Sequence, residues 1–293
     1  MPKSNRIINP MDLWSFLKLD DILKDNSHCN VIQHTVFAFN GGEEHIKIHP
    51  ETVKNPFVLI ECNIQNSGDL IRLLLATDAL KRIGVDNISL CMPYIPFARQ
   101  DRVMVEGEPL SIKVFADIIN SQNYDTVYVL DPHSDVSTAL IKNISLINVD
   151  SEIDKIIKSH KNPVLIAPDA GSLKKIFKIA QRNNVEVVCF NKNRDINDGK
   201  ITGFSINDPV KLTHYSNAII IDDICDGGKT FLGISEIMKG YIDIYVSLIV
   251  SHGIFSKGFD IFNGLIDEIF CFNLMGGDRT DRVIKIPILI SDL

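Results

Sequence analysis

The stretch that decides the fold is FVLIECNIQNSGDLIRLLLATDALKRIGVDNISLCM, residues 57–92. The apolar runs at 57–62 and 88–92 are short and uninterrupted, which is typical of strands buried on both faces. The segment between them has the three-and-four spacing of a helix with one inward apolar stripe. This stripe consists of Leu70, Leu73, Leu74, Thr77 and Leu80. A strand, a helix and a second strand in this order predict a βαβ unit with parallel strands.

The alternation of strand and helix patterns continues along the rest of the chain. Helical spacing is found at 110–121, 151–159, 171–182 and 229–239, with short apolar runs between these segments. The chain has 293 residues, of which 45% are hydrophobic, and this is enough to build two cores. The sequence therefore predicts an α/β protein with two domains, residues 1–150 and 151–293, each a mainly parallel sheet flanked by helices.

Composition and charge exclude several classes of protein. The net charge is -7 and no run of lysine and arginine stands out, so we expect no nucleic-acid partner. No apolar stretch approaches the length of a membrane span, and the six cysteines are scattered without a CxxC pair. We therefore expect a cytoplasmic protein with reduced thiols, no disulfide framework and no zinc site.

Four polar segments follow predicted strands, where open α/β sheets bind their ligands. They are PYIPFARQDR (93–102), DPHSD (131–135), PDAG (168–171) and DDICDGGKT (222–230). In the last segment, Asp222 and Asp223 are suited to accept hydrogen bonds from vicinal ribose hydroxyls. The loop from Asp226 to Thr230 offers backbone NH groups to a phosphate at a helix N-terminus. The alternative interpretation, Asp226 as a plain helix cap, accounts for only one of the three acidic residues.

All four of these segments resemble known motifs, and two of them are the most informative. NAIIIDDICDGGKTF (217–231) resembles the phosphoribosyl-diphosphate motif of type I phosphoribosyltransferases and of ribose-phosphate diphosphokinases. PYIPFARQDRVMVEGEPLSIKVFADII (93–119) resembles the Ala-Arg-Gln-Asp and Gly-Glu-Pro signature of the diphosphokinases alone. The chain is identified on these segments as a divergent diphosphokinase, which implies two phosphoribosyltransferase-like domains. It departs from the motif at Gly227, where a hydroxyl is usual, and at Lys229, where a small residue is usual.

The resemblance also implies roles for individual residues. ATP contacts are implied for Arg99, Gln100 and Asp101, and, from a neighbouring subunit, for Phe39 and Glu43; magnesium contacts are implied for Asp131, His133 and Asp169. Catalytic cations are implied at Lys192 and Arg194, in the predicted loop 191–200, and ribose-phosphate contacts at Asp222, Asp223, Asp226, Gly227, Gly228, Lys229 and Thr230. Arg102 is also suited to phosphate charge. A homo-oligomer, a dimer or a hexamer, is implied as well.

The activity implied by the resemblance is a transfer of diphosphate from ATP, with Mg²⁺, to the C1 hydroxyl of a 5-phosphorylated ribose. Two alternatives stay open. In the first, the acceptor is ADP-ribose in an NAD salvage pathway, because Lys229 makes the loop from Asp226 to Thr230 more basic. In the second, the chain is a non-catalytic regulatory paralogue. A transferase acting on nucleobases would have no use for the segment from Arg99 to Asp101.

Overall fold

The structure, a computed structural model, describes residues 14–18, 30–194, 201–206, 209–276, 283–286 and 288. The chain divides into two compact units, Met1–Ile147 with Pro287–Leu293, and Asn148–Ile286. The domain boundary predicted from the sequence lies near residue 150. Among the described residues, no helix is long and apolar enough to cross a membrane.

The first unit has eight strands among its described residues, and six of them form a parallel sheet. Its strands are β1 (Trp14–Lys18), β2 (Asn30–Val31), β3 (His34–Ala38), β4 (Glu44–Ile48), β5 (Phe57–Glu61), β6 (Asn87–Cys91), β7 (Val127–Leu130) and β8 (Ile144–Ile147), and its helices are α1 (Ser67–Arg82), α2 (Ser111–Ser121) and α3 (Asp135–Leu140). The sheet order is β2-β1-β5-β6-β7-β8, while β3 and β4 form a separate antiparallel hairpin. The predicted βαβ unit is confirmed as β5-α1-β6, with β5 and β6 parallel neighbours.

Helix α1 shows why these residues fold as predicted. It begins with a capping box, in which the Asn66 side chain accepts from the Asp69 NH at 3.1 Å and the Asp69 carboxylate accepts from the Asn66 NH at 3.1 Å. Leu73, Thr77 and Leu80 of the predicted stripe are fully buried, whereas Leu70 and Leu74 are only partly buried. The buried hydroxyl of Thr77 bonds the Leu73 carbonyl at 2.9 Å and the Tyr124 hydroxyl at 2.7 Å, so it costs little to bury.

The second unit is built on a sheet of seven strands. Its strands are β9 (Pro163–Ala167), β10 (Glu186–Arg194), β11 (Ile201–Ile206), β12 (Asn217–Cys225), β13 (Tyr245–Gly253), β14 (Glu268–Leu274) and β15 (Val283–Lys285), and its helices are α4 (Asp150–Ser159), α5 (Leu173–Asn183) and α6 (Lys229–Tyr241). The order is β11-β10-β9-β12-β13-β14-β15, and only the pair β10 and β11 is antiparallel among these described strands.

One prediction about the second unit is wrong. Residues 191–194 were expected in a loop, but they continue β10 and pair with β11, with Asn191 opposite Ser205 and Lys192 opposite Phe204. Because β11 turns back along β10, the polar residues at the end of β10 find ladder partners for their backbone groups. Residues 195–200, the rest of the predicted loop, lie outside the described residues.

Candidate active site

Three carboxylates lie at the carboxyl edge of the second sheet. Strands β9 and β12 are parallel neighbours, so their carboxyl ends lie at the same edge. Asp169 lies two residues beyond the end of β9. Asp222 and Asp223 lie within the last four residues of β12. The Asp169 carboxylate accepts from the Ser172 NH at 3.1 Å, which holds it beside the sheet edge. The topology thus brings together residues that are more than fifty positions apart in the chain.

This crowding changes the ionisation of Asp222. Burial first, then the charge of Asp223 and more weakly that of Asp169, raise the pKa of Asp222 to about 7. The Asp223 NH, which donates to Asp222 Oδ1 at 3.0 Å, offsets only part of this effect. A divalent cation or the hydroxyls of a sugar would relieve the repulsion, so the cluster is suited to bind either.

The loop that follows β12 leads into the N-terminus of α6. Gly228 is the N-cap, and it has a left-handed φ of 70°. A Cβ at Gly228 would lie 2.8 Å from Phe262 Cζ, so this position requires glycine. In the described structure no side chain caps α6 and its first turn has no acidic residue. The NH groups of that turn are therefore available to an anion, with exposed Lys229 as the first helical residue.

Asp226 is not the cap of this helix, so the plain-cap interpretation is wrong. Its carboxylate accepts from Ser256 Oγ at 2.6 Å instead, and this bond ties the loop to the residues that follow β13. Gly227 differs from Gly228 because its φ is ordinary and a Cβ there would lie 3.7 Å from Lys257 Cγ, a normal contact distance. The absence of a side chain at Gly227 is therefore not imposed by the fold.

In the first unit, Arg99 and Gln100 are exposed in the segment after β6, while Asp101 is half-buried. Arg102 donates to Asp101 Oδ1 at 2.8 Å, and Ser134 Oγ donates to Asp101 Oδ2 at 2.7 Å. These two hydrogen bonds, Arg102 first, lower the pKa of Asp101 to about 2. Asp101 thus connects the segment after β6 to the one after β7, and Arg102 is held by this carboxylate.

The segment after β7 contains Asp131 and His133. Asp131 has a left-handed φ of 41°, and His133 is exposed. Ser134 caps α3 by accepting from the Val136 NH at 3.1 Å. Within the described ranges, no three His, Cys, Asp or Glu side chains form a ready-made metal site. Such a site is not required for Mg²⁺, which keeps waters and binds through one or two carboxylates together with substrate phosphates.

Phe39 and Glu43 lie at the turn between β3 and β4, and the Phe39 NH donates to the Glu43 carbonyl at 2.9 Å. The ring of Phe39 is 54% exposed and packs edge-on against Phe37, with centroids 5.2 Å apart. The ring centroid of His45 lies 4.9 Å from that of Phe37. This hairpin therefore presents an aromatic surface suited to stacking. The backbones of Lys192 and Arg194 belong to β10.

Two side chains that order these segments were not singled out from the sequence. Ser134 had a local signal, because a serine before a helical stretch is a common N-cap. Ser256 had none, since its partner Asp226 is thirty residues away.

The fold and the site together define a class. Each unit is a mainly parallel α/β sheet with polar segments at its carboxyl edge, and the second unit joins three carboxylates to an uncapped helix N-terminus. This is an α/β protein whose second unit has a candidate ligand site at the carboxyl edge of its sheet.

Comparisons with known proteins identify the family. A family model described as the N-terminal domain of ribose phosphate pyrophosphokinase matches residues 15–122. A ribose-phosphate pyrophosphokinase of Mycoplasmopsis pulmonis is 30% identical over 264 residues, which are 86% of this chain and 78% of that protein. A second, from Thermococcus kodakarensis, is 26% identical over 91% of this chain and 94% of its own. The chain belongs to the ribose-phosphate pyrophosphokinase family.

The fold agrees with this identification. The crystal structure of phosphoribosylpyrophosphate synthetase from Mycobacterium smegmatis superposes with a TM-score of 0.75, and the match covers 94% of both chains at 19% identity. The predicted fold class, α/β with two parallel sheets flanked by helices, is therefore confirmed.

The raised pKa of Asp222 predicts a pH-dependent stability. Since the folded pKa of about 7 exceeds the ordinary value of 3.8, the folded protein binds the proton more tightly, and stability falls as pH rises from about 4 to 7. Asp222→Asn removes this loss. We expect the advantage of the variant over the parent to be larger at pH 8 than at pH 4.5 by roughly 3 kcal/mol. Urea unfolding at both pH values, with exposed Asp243→Asn as control, measures this. A gain independent of pH would contradict the explanation.

The two loop glycines predict opposite outcomes. Gly228→Ala forces a side chain into a left-handed residue against Phe262, and we expect a loss of roughly 2–4 kcal/mol in unfolding free energy. Gly227→Ala places its Cβ at a normal contact distance, and we expect a change within about 0.5 kcal/mol. Urea denaturation of both variants compares them directly. Equal losses would contradict the left-handed backbone at Gly228 and its close approach to Phe262.

Proposed function

We propose that this protein transfers diphosphate from ATP to the C1 hydroxyl of a 5-phosphorylated ribose and releases AMP. The observation that carries the proposal is the cluster of Asp169, Asp222 and Asp223 beside the uncapped N-terminus of α6, in a chain that belongs to the ribose-phosphate pyrophosphokinase family. In the reaction, the C1 hydroxyl oxygen forms a bond to the β-phosphorus. The bond from that phosphorus to the α–β bridging oxygen breaks, AMP leaves with this oxygen, and the hydroxyl proton passes to solvent.

The second unit supplies the residues for the acceptor. Asp222 and Asp223 are suited to accept hydrogen bonds from the vicinal hydroxyls of the ribose, which orients its C1 hydroxyl. The loop from Asp226 to Thr230 offers the NH groups of the first turn of α6 to the 5-phosphate. Because the dyad and the loop follow one strand, they hold the two ends of one small sugar phosphate.

The first unit supplies the residues for ATP. Arg99 is exposed and suited to phosphate charge, and Gln100 to the edge of a base. Asp101 holds Arg102 and Ser134, so in this proposal it orders the segment in which Arg99 and Gln100 lie. Phe39 and Glu43 are assigned to the adenine of a neighbouring subunit in a homo-oligomer, for which the exposed Phe39 ring offers a stacking surface.

Charge on the transferring group is met by cations. Mg²⁺ is assigned to Asp131 and His133 in the first unit and to Asp169 in the second, and when bound it would neutralise triphosphate charge. Lys192 and Arg194 are assigned to stabilise the charge that develops as the diphosphate moves, since phosphoryl transfer depends on position and electrostatics more than on covalent chemistry.

The test is AMP release from ATP and Mg²⁺ with ribose 5-phosphate, with ADP-ribose and with no acceptor. We expect acceptor-dependent AMP release, and we expect the variant carrying both Asp222→Asn and Asp223→Asn to lose it while remaining folded in a thermal scan. Full activity of this variant would contradict the site. Absence of AMP release with either acceptor would contradict the proposal and favour a non-catalytic regulatory paralogue.

A second candidate acceptor, ADP-ribose, is favoured by the exposed lysine at the start of α6. If Lys229 contacts the second phosphate of such an acceptor, Lys229→Ala should reduce kcat/KM for ADP-ribose by about tenfold to a hundredfold and leave ribose 5-phosphate nearly unchanged. Steady-state kinetics with both acceptors measure the split, and Lys178→Ala, an exposed lysine on α5, is the matched control. An equal change in kcat/KM for both acceptors would contradict this contact. If the parent does not turn over ADP-ribose, ADP-ribose is not an acceptor.

A further inference from the structure

Two loops of the second unit are joined side by side. One follows β12 and contains Asp226 and Gly227; the other follows β13 and contains residues 254–258. The NH groups of Ile254 and Phe255 donate to the Cys225 carbonyl at 2.8 and 3.1 Å. The Ser256 NH donates to the Asp226 carbonyl at 3.2 Å, and Ser256 Oγ to the Asp226 carboxylate at 2.6 Å. These four hydrogen bonds keep the second loop alongside the first, which is the proposed phosphate loop from Asp226 to Thr230.

Both loops are also anchored on one aromatic cluster. Phe255 is buried, and its ring centroid lies 4.7 Å from that of Phe259 and 5.9 Å from that of Phe262. The Phe262 ring also lies directly under Gly228 in the first loop. A turn closed by the Gly258 NH donating to the Phe255 carbonyl at 2.9 Å then fixes the backbone of residues 256 and 257. The position of this turn relative to the phosphate loop is therefore set by packing before any ligand binds.

Lys257 lies in this turn and covers the place where Gly227 lacks a side chain. Its Cγ is 3.7 Å from the position that a Cβ on Gly227 would take. The residue is exposed, and its ammonium group is carried on a flexible stem that can reach past the loop. A cation there lies beside the loop whose NH groups open the helix, and no acidic residue occupies the first turn of α6 in the described structure. The charge and the position suit a phosphate.

We propose that Lys257 binds the 5-phosphate of the acceptor and replaces the hydroxyl that Gly227 lacks. This assignment rests on the proposed function, because it takes the loop at α6 as the 5-phosphate site. It differs from the role proposed for Lys229, which concerns only a second phosphate. Loss of the Lys257 side chain therefore weakens the binding of both acceptors, whereas loss of the Lys229 side chain weakens only the binding of ADP-ribose.

The experiment measures the Kd of ribose 5-phosphate by calorimetry, with Mg²⁺ and α,β-methylene-ATP present so that no transfer occurs. We expect Lys257→Ala to weaken binding by about tenfold to a hundredfold, and Lys178→Ala, the matched exposed lysine, to leave it nearly unchanged. A double variant, Lys257→Ala with Gly227→Thr, supplies the hydroxyl at a position where a Cβ fits. We expect it to recover most of the lost affinity. Thermal unfolding checks that each variant is folded.

The outcomes separate the two proposals. If the parent binds ribose 5-phosphate and Lys257→Ala binds it equally well, or if Lys178→Ala loses as much, the role of Lys257 is overturned while the proposed function stands. If the parent binds neither ribose 5-phosphate nor ADP-ribose under these conditions, both proposals are overturned. A selective loss in Lys257→Ala, recovered in the double variant, supports the phosphate contact.

Discussion

The site depends on one topological constraint, that β9 and β12 are parallel neighbours whose carboxyl ends share an edge of the sheet. This arrangement places Asp169 beside Asp222 and Asp223 and starts α6 immediately afterwards, with its open NH groups at the same edge. Negative side chains and the positive end of a helix are thus adjacent. A sugar phosphate needs both, acceptors for its hydroxyls and donors for its phosphate.

The two units manage their carboxylates in opposite ways. Asp101 receives hydrogen bonds from Arg102 and Ser134, so its pKa falls to about 2 and its charge is balanced within the protein. Asp222 is half-buried beside other carboxylates, so its pKa rises to about 7. The first carboxylate orders a loop, while the second carries a repulsion that binding would relieve. Such stored repulsion is typical of functional sites.

The two glycines of the loop after β12 differ in what the fold requires of them. Gly228 is required by its left-handed backbone and by the ring of Phe262 beneath it. Gly227 is under no such constraint. Lys229 follows it by two residues in the chain, and Lys257 approaches it from the loop after β13. The loop therefore keeps the glycine that its backbone requires at position 228, while the hydroxyl usual in the motif at position 227 is absent. In the two proposals, Lys257 contributes to binding the 5-phosphate of either acceptor, whereas Lys229 distinguishes the longer acceptor from the shorter one.

The sequence by itself determined the α/β class, the β5-α1-β6 unit and, to within one or two residues at most ends, helices α2, α4, α5 and α6, because strand and helix periodicities are local. It also located the polar segments after the strands. Only the tertiary structure decided that β10 continues through Lys192 against β11, that Asp101 is held by Ser134, and that Asp226 is held by Ser256 rather than capping α6. These contacts join residues far apart in the chain, and strand order and sheet register, which no local pattern encodes, bring them together.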